Sequence, residues 1–121
     1  MKISKKKFSD ICAEVSAQNV AEAANIAESK GSKNHGKIGI GKLLMDVLIG
    51  KHLIDALGFE DEDTEVEITK EMFSDATQKA IEKSADDLNG EAGLIMMLES
   101  VLFTSKLEER LFGEETKDES N

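Results

Sequence analysis

Residues 37–57, KIGIGKLLMDVLIGKHLIDAL, form the most apolar stretch of the chain and decide its fold. At 100° per residue, a helix over this stretch carries apolar residues on two different sides. A helix that is apolar on two sides is buried on two sides, so we expect this one at the centre of a helical bundle. The first stripe consists of Ile40, Leu43, Val47, Ile54 and Leu57, and the second consists of Met45, Ile49, Leu53 and Ala56.

Helical spacing of apolar residues recurs on both sides of this segment. Before it, the apolar residues from Phe8 to Val15 share one helix face, and the apolar phase then shifts. Two helices meeting near residues 17–19 and one bent helix fit this shift equally well. After the central segment, helices are predicted over residues 68–88 and 91–112. The predicted fold class is therefore all-α, a compact bundle of four to five helices.

Two segments that lie 65 residues apart begin helices in the same way. ISKKKFSD at 3–10 and ITKEMFSD at 68–75 share an isoleucine, a hydroxyl residue, a lysine and the ending Phe-Ser-Asp. Ser4 and Thr69 are the predicted N-caps, and the Ile–Phe pair of each segment forms a hydrophobic staple. An internal duplication and two independent uses of the same chemistry both explain the match. A minor two-stranded contact between residues 1–3 and 66–68 is also predicted.

The length of 121 residues suits a single domain, which we place at residues 1–112. Gly113 is the predicted end of the last helix. Residues 113–121 are predicted to be a flexible acidic tail, because they contain no apolar side chain that could pack. No apolar run is long enough to span a membrane, and the single cysteine, Cys12, cannot form an intramolecular disulfide. We therefore expect a cytoplasmic protein.

The second apolar stripes of two helices predict a protein interface. Segments 37–57 and 91–112 each have one stripe more than a small bundle easily covers, because short helices can surround one central helix more readily than two. Either the bundle wraps tightly around the central helix, or a second copy or a partner protein covers one stripe. We expect a homo-oligomer, with a dimer favoured. The predicted interface residues are Met45, Ile49, Leu53, Met96, Phe103 and Leu107.

The charge is unevenly distributed along the chain. Residues 1–42 hold eight lysines and four acids, a net +4, and residues 43–121 hold seven bases and 21 acids, a net −14, which together give −10. The densest acidic run does not fit a calcium loop, since Val66 and Met72 stand where a glycine and a glutamate are needed. It is either a solvated turn or a surface that faces a basic partner. The predicted acidic patch is Glu60, Asp61, Glu62, Asp63, Glu65 and Glu67.

A glycine-rich basic loop precedes and enters the central helix. Gly36 and Gly41-Lys42 have the spacing of a phosphate-binding loop, but Leu43 stands where serine or threonine would reach magnesium, and no buried strand precedes the loop. A solvated basic loop is one interpretation. The other is weak binding of phosphate or of a nucleic-acid backbone at a helix N-terminus. The predicted phosphate contacts are Lys30, Lys33, Lys37 and Lys42.

No catalytic or metal-ligating pattern is present in the sequence. His35 and His52 do not pair with Cys12 at a metal-ligand spacing. We therefore expect no catalytic residue, no metal and no cofactor, and a protein that is not an enzyme. A small, acidic, proline-free protein of this kind is compatible with a mobile-element origin, for example in a phage.

Three functions fit these observations. The first is a non-enzymatic protein-interaction module, an adaptor, assembly chaperone or inhibitor that occupies a partner's surface. The second is an acidic inhibitor that mimics nucleic acid and blocks a basic nucleic-acid-binding protein, whose binding would weaken steeply with salt. The third is a regulator that binds nucleic acid through its basic N-terminal region, although the overall charge makes nucleic acid a less favoured partner. No membrane partner is expected.

Overall fold

The part of the chain that the structure describes is a bundle of four helices with one small antiparallel sheet. The computed structural model describes residues 1–31, 33, 35–86 and 90–119, with side-chain detail for all of these except 35–38, 92 and 114–119. In chain order, the elements are β1 (Lys2–Ser4), α1 (Lys5–Ser29), α2 (His35–Leu57), β2 (Glu65–Glu67), α3 (Lys70–Asp86) and α4 (Gly90–Glu119). The predicted all-α class, the number of helices and the two-stranded contact are all confirmed.

Of the two alternatives predicted for the first helical region, a single helix is correct, because α1 continues from Lys5 to Ser29. Asn19, at the predicted junction, lies inside α1 and is buried. The left-handed glycines Gly31, at φ 78°, and Gly58, at φ 81°, follow the ends of α1 and α2. Glycine adopts this conformation without the steric cost that a Cβ atom brings, which suits it to a helix end.

The two matching segments begin α1 and α3 with the same local geometry. Ser4 Oγ accepts a hydrogen bond from the Lys7 amide at 3.1 Å, and Thr69 Oγ1 accepts one from the Met72 amide at 3.1 Å. The residues just before these caps pair as antiparallel strands, with Ile3 opposite Val66. We call this pairing of residues 2–4 with 65–67 the clasp. It joins the N-terminal ends of two helices that are far apart in sequence.

The core lies around α2, which packs against each of the other three helices. All five phenylalanines of the chain are buried. Four of these rings form two pairs in the core. Phe8 packs on Phe59 at a centroid distance of 5.4 Å, and Phe73 packs on Phe112 at 5.9 Å. Aromatic pairs at such distances stabilise a core beyond the area that they bury.

The last helix is longer than predicted. α4 continues through Gly113 to Glu119 instead of ending at Gly113. A glycine inside a helix costs only about 1 kcal/mol relative to alanine, which the neighbouring residues can offset. Residues 120–121 lie outside the described part of the chain, and the flexibility of the tail stays a prediction.

The apolar stripe that the sequence assigned to a partner is the one that forms the core. Ile49, Leu53, Met96, Phe103 and Leu107 are fully buried within the monomer, and Met45 is half-buried. The helical period identifies two stripes but does not say which one faces inward. The other stripe of α2 is exposed over its first half, at Ile40, Leu43 and Val47. The other stripe of α4, from Leu94 to Leu102, is exposed over its whole length.

We predict that two leucines of α2 differ sharply in their contribution to stability. Leu53→Ala removes a fully buried side chain and is expected to lower the free energy of unfolding by about 2–5 kcal/mol. Leu44→Ala removes a side chain that is 65 % exposed and is expected to change it by less than about 0.5 kcal/mol. Urea denaturation followed by circular dichroism measures both. Equal losses for the two variants would contradict the assignment of the core.

Candidate functional site

Two helix faces expose large aliphatic side chains to solvent. On α2, the exposed fractions are 62 % for Ile40, 43 % for Leu43, 65 % for Leu44 and 61 % for Val47, and we call these residues the α2 face. On α4, exposed fractions of 42–60 % define the α4 face, which consists of Leu94, Ile95, Met97, Leu98, Val101 and Leu102. Monomeric proteins rarely expose contiguous apolar surface of this kind without a use for it.

The two faces are separate surfaces. Lys42 of α2 forms an ion pair with Glu99 of α4, so this side of α2 is turned toward α4. Ile40 and Leu44 are each two residues from Lys42, which places them about 200° away around the helix. The α2 face therefore points away from α4, and each face can serve a different contact.

A groove runs between α1 and α2 beside the α2 face. It has a volume of about 570 Å³, and its walls include Ala13 and Ala17 of α1 and Gly50 of α2. Leu43 and Val47 belong both to the groove and to the α2 face, so the two form one continuous surface. The small residues of α1 let another backbone approach closely, while the α2 side supplies the apolar contact area.

A cluster of buried polar side chains lies under one wall of this groove. Asp46 is 1 % exposed and Glu99 is 6 % exposed, and Ser16 and Asn19 of α1 are also buried. Lys42 Nζ forms an ion pair with Glu99 Oε2. Within the described part of the chain, both Asp46 carboxyl oxygens and Glu99 Oε1 have no hydrogen-bond partner. A single proton held between the two carboxyl groups would satisfy atoms of both.

The surroundings of Asp46 favour its neutral form. The pKa of the Asp46 carboxyl is raised to about 8, mainly by burial and then by the neighbouring Glu99, while Ser16 and Lys42 oppose the shift. Burial, with a smaller effect from Asp46, also raises the pKa of the Cys12 thiol to about 12. Cys12 is therefore an unreactive core residue, and a nucleophilic role does not follow from its position.

The acidic patch does not stand alone but lies beside the N-terminal lysines. Strand pairing sets Lys2 opposite Glu67, and the Lys6 amide donates a hydrogen bond to the Glu62 carbonyl. Asp61 Oδ1 accepts hydrogen bonds from Thr64 N at 2.8 Å and Thr64 Oγ1 at 2.6 Å, which lowers the pKa of the Asp61 carboxyl and orders the turn. Positive and negative charges that are distant in sequence therefore meet at one end of the bundle.

The predicted phosphate contacts do not form one cluster in the described structure. Lys42 pairs with the buried Glu99 and is directed into the protein. Lys30 and Lys33 are exposed at the connection between α1 and α2, and the side chain of Lys37 lies outside the described residues. A separate polar cleft between α1 and α4 is crossed by two ion pairs, Lys106 with Glu22 at 2.8 Å and Arg110 with Glu14.

Sequence reasoning missed two parts of this surface. The contribution of α1, from Ser9 through Ala13 to Ala17, was hidden because small residues carry a weak helical signal. The burial of Asp46 and Glu99 was hidden because they belong to segments more than 50 residues apart. The apolar stripe with Leu43 and Val47 was visible, and only its orientation could not be inferred.

Within the ranges described, no group of three His, Cys, Asp or Glu side chains is arranged to hold a metal ion. Over the same ranges, no helix combines the length and the apolar character needed to cross a bilayer. Comparison with protein families, with curated proteins and with solved structures gave no match. The exposed apolar faces, the groove and the buried polar cluster are therefore the features that point to a function.

We predict that Asp46 makes the stability of the protein fall as the pH rises. Its pKa is about 8 in the folded state and close to 3.9 when unfolded, so between these values the folded state holds one more proton. The free energy of unfolding should then fall by up to about 1.4 kcal/mol per pH unit, and the fall should end above the folded pKa. Urea denaturation at several pH values between about 5.5 and 8.5 measures this slope.

Two variants isolate the contribution of Asp46 to that slope. Asp46→Asn is neutral at every pH and should remove most of the slope, which makes it more stable than the wild type at the alkaline end. The charged groups that surround this position, Glu99, Lys42 and Cys12, are unchanged in the variant. Asp55→Asn, on the exposed side of the same helix, should keep the slope. An unchanged slope in Asp46→Asn would contradict the buried proton.

Proposed function

We propose that the protein is a non-enzymatic protein-interaction module that acts as a homodimer and holds a helix of a partner protein in the groove between α1 and α2. The observation that carries the proposal is the row of exposed aliphatic side chains along this groove, including Leu43 and Val47. Apolar surface in contact with water costs free energy, and covering this surface with a partner recovers that free energy.

The shape of the groove favours a helix over a flat surface as the bound element. Its lining extends from Lys5 to Ala17 on α1 and from Leu43 to Asp55 on α2, and twelve residue steps correspond to about 18 Å of helix. This length matches three to four turns of an amphipathic helix. Such a helix would place large apolar side chains between Leu43, Val47 and Ile54.

The charged residues of the groove lie at one end. Lys5 of α1, with Lys51 and Asp55 of α2, lines the end away from Leu43. The rest of the lining is apolar or small, apart from the buried Asp46 and two serines. A partner helix with an acidic residue at the end that meets Lys5 and Lys51 would be oriented by this charge, while its apolar residues supply the affinity.

The geometry supports the two nucleic-acid functions less well. A mimic of nucleic acid needs a row of free carboxylates, whereas this acidic turn is joined to the lysine-rich N-terminal segment through the clasp. A phosphate-binding role needs clustered free lysines, whereas Lys42 is paired with Glu99. We place the protein in the cytoplasm, where a single buried thiol such as that of Cys12 stays reduced.

We predict that a lysine in the groove abolishes partner capture, whereas a lysine on the α4 face does not. Val47 and Val101 are matched valines with exposed fractions of 61 % and 49 %, one on each face. The tagged wild type, Val47→Lys and Val101→Lys are used as baits in extract of the native host, and the captured proteins are quantified by mass spectrometry. We expect a partner that wild type and Val101→Lys retain and that Val47→Lys loses at least about tenfold, which corresponds to 1.4 kcal/mol.

The captured partner is then titrated against the three purified proteins by calorimetry. Equal affinity for wild type and Val47→Lys would remove the groove from the proposal. If no protein is enriched by the wild type over a denatured bait, the interaction function itself fails. Circular dichroism of each variant checks that the helices are intact.

A further inference from the structure

We infer that the α4 face is the contact between two copies of this chain, with the two α4 helices packed antiparallel about a twofold axis close to Leu98. The inference deepens the proposed homodimer by naming its surface and its geometry. It is independent of the α1–α2 groove, because the two faces lie on different sides of the molecule.

The first observation is that the α4 face carries no charge along its length. The exposed positions between residues 94 and 105 are aliphatic, methionine or serine, and the acid within this stretch, Glu99, is buried on the other side of the helix. Two copies with a net charge of −10 each repel one another. Contact through an uncharged face keeps the acidic groups apart and covers apolar surface on both copies.

The second observation is the spacing of the face. Leu94, Leu98 and Leu102 follow one another at intervals of four residues. Residues at this spacing form a ridge that packs against a second helix. The ridge is centred on Leu98 and covers nine residues, or about 14 Å.

The third observation is the position of the charges that flank the ridge. Glu91 precedes Leu98 by seven residues, and Lys106 follows it by eight. The apolar part of the face, from Leu94 to Leu102, is centred on the same residue. Lys106 also forms an exposed ion pair with Glu22 of its own chain. In an antiparallel pair centred at Leu98, residue 91 lies opposite residue 105, so the Glu91 carboxylate comes next to Lys106 of the other copy, whose ammonium group can pair with two carboxylates. A parallel pair would set Glu91 against Glu91. Charge complementarity therefore selects the antiparallel arrangement.

The α2 face is a poorer candidate for self-association. A twofold contact requires a surface that is complementary to itself. The α2 face borders a groove, and a groove receives a ridge rather than a second groove. The α4 face is a single convex helix surface, which pairs with its own copy without needing a cavity.

The size of the contact sets the expected affinity. One helix face about 14 Å long and 10 Å wide is smaller than the roughly 800 Å² that each partner contributes to a standard interface. We therefore expect a reversible dimer with a dissociation constant in the range of about 1–100 µM.

Cysteine cross-linking tests the arrangement directly on the full chain. In the antiparallel pair, residue 98 meets its own copy and residue 94 meets residue 102 of the other copy. Leu98→Cys should therefore give a disulfide-linked dimer on mild oxidation. Leu94→Cys alone and Leu102→Cys alone should not, because their copies are separated by about 12 Å and a disulfide needs Cα atoms within about 7 Å. The mixture of these two variants should cross-link.

Wild type is the control, because its own cysteine, Cys12, is buried within the fold. Strong cross-linking of Leu94→Cys with itself would overturn the antiparallel arrangement in favour of a parallel one. Failure of Leu98→Cys and of the mixture to cross-link would overturn the α4 contact.

Sedimentation velocity over a range of concentrations up to about 0.5 mM tests the dimer without a cross-link. Leu98→Glu should reduce the association constant at least about tenfold, whereas Leu44→Glu, a matched leucine on the α2 face with 65 % exposure, should leave it unchanged. Glu91→Lys, which places a lysine next to Lys106 of the other copy, should also weaken the dimer. A wild type that stays monomeric at every concentration would overturn the inference while leaving capture of a partner by the groove intact.

Discussion

The burial of α2 against three other helices is the constraint on which the rest of the structure depends. α2 packs on α1, α3 and α4, and its remaining side is open to solvent at Ile40, Leu43, Leu44 and Val47. All five phenylalanines are inside, so the outward faces of α2 and α4 are made of leucine, isoleucine, valine and methionine. The bundle therefore builds a rigid aromatic interior and leaves an adaptable aliphatic exterior, a division that suits a domain whose contacts are made with other proteins.

A second constraint is the polar cluster that the helices enclose. Asp46, Glu99 and Lys42 bring two acids and one base together in an environment that penalises unpaired charge. Replacing such a cluster by apolar residues is often neutral or stabilising, so it is not there for stability alone. The ion pair of Lys42 with Glu99 joins α2 to α4 and forms only when these two helices are in their native arrangement. The cluster thus disfavours other arrangements of these helices, and it does so beside the surface that we assign to the partner.

The local features of the fold could be predicted from sequence, and the long-range ones could not. The N-caps Ser4 and Thr69 depend on neighbouring residues, and they lie where the sequence predicts. The left-handed glycines Gly31 and Gly58 that follow α1 and α2 are local features of the same kind. The stripes of α2 and α4 were also correct as sets, but their direction depends on which other helices come close. Phe103 offered the one available signal, since large aromatic residues are usually inside, and it would have assigned Met96 and Leu107 to the core.

The position of the charged residues in space could not be predicted from the sequence either. Counting along the chain separates a basic N-terminal part from an acidic remainder, and a molecule with two oppositely charged ends would follow from that count. The clasp places Lys2 opposite Glu67 and brings the amide of Lys6 to the carbonyl of Glu62, so the first lysines and the densest acidic run meet at one end of the bundle. Lys30 and Lys33 lie beyond the other end of α1, so the basic part of the sequence does not form a single positive end. The pairing of two three-residue strands, and not the order of charges along the chain, therefore decides which charged residues lie close together.

The clasp also has a consequence for the order in which the chain folds. It joins residues 2–4 to residues 65–67, and closing so long a loop costs conformational entropy that two short strands cannot recover by themselves. The helical hairpin of α1 and α2 needs a much shorter closure and has its own apolar contacts, so it is the natural starting point. We expect the strands to pair after the helices have brought the N-terminal ends of α1 and α3 together, so that the clasp forms late and closes the assembled bundle. In the native protein we expect its three-residue strands, which are partly exposed to solvent, to open early.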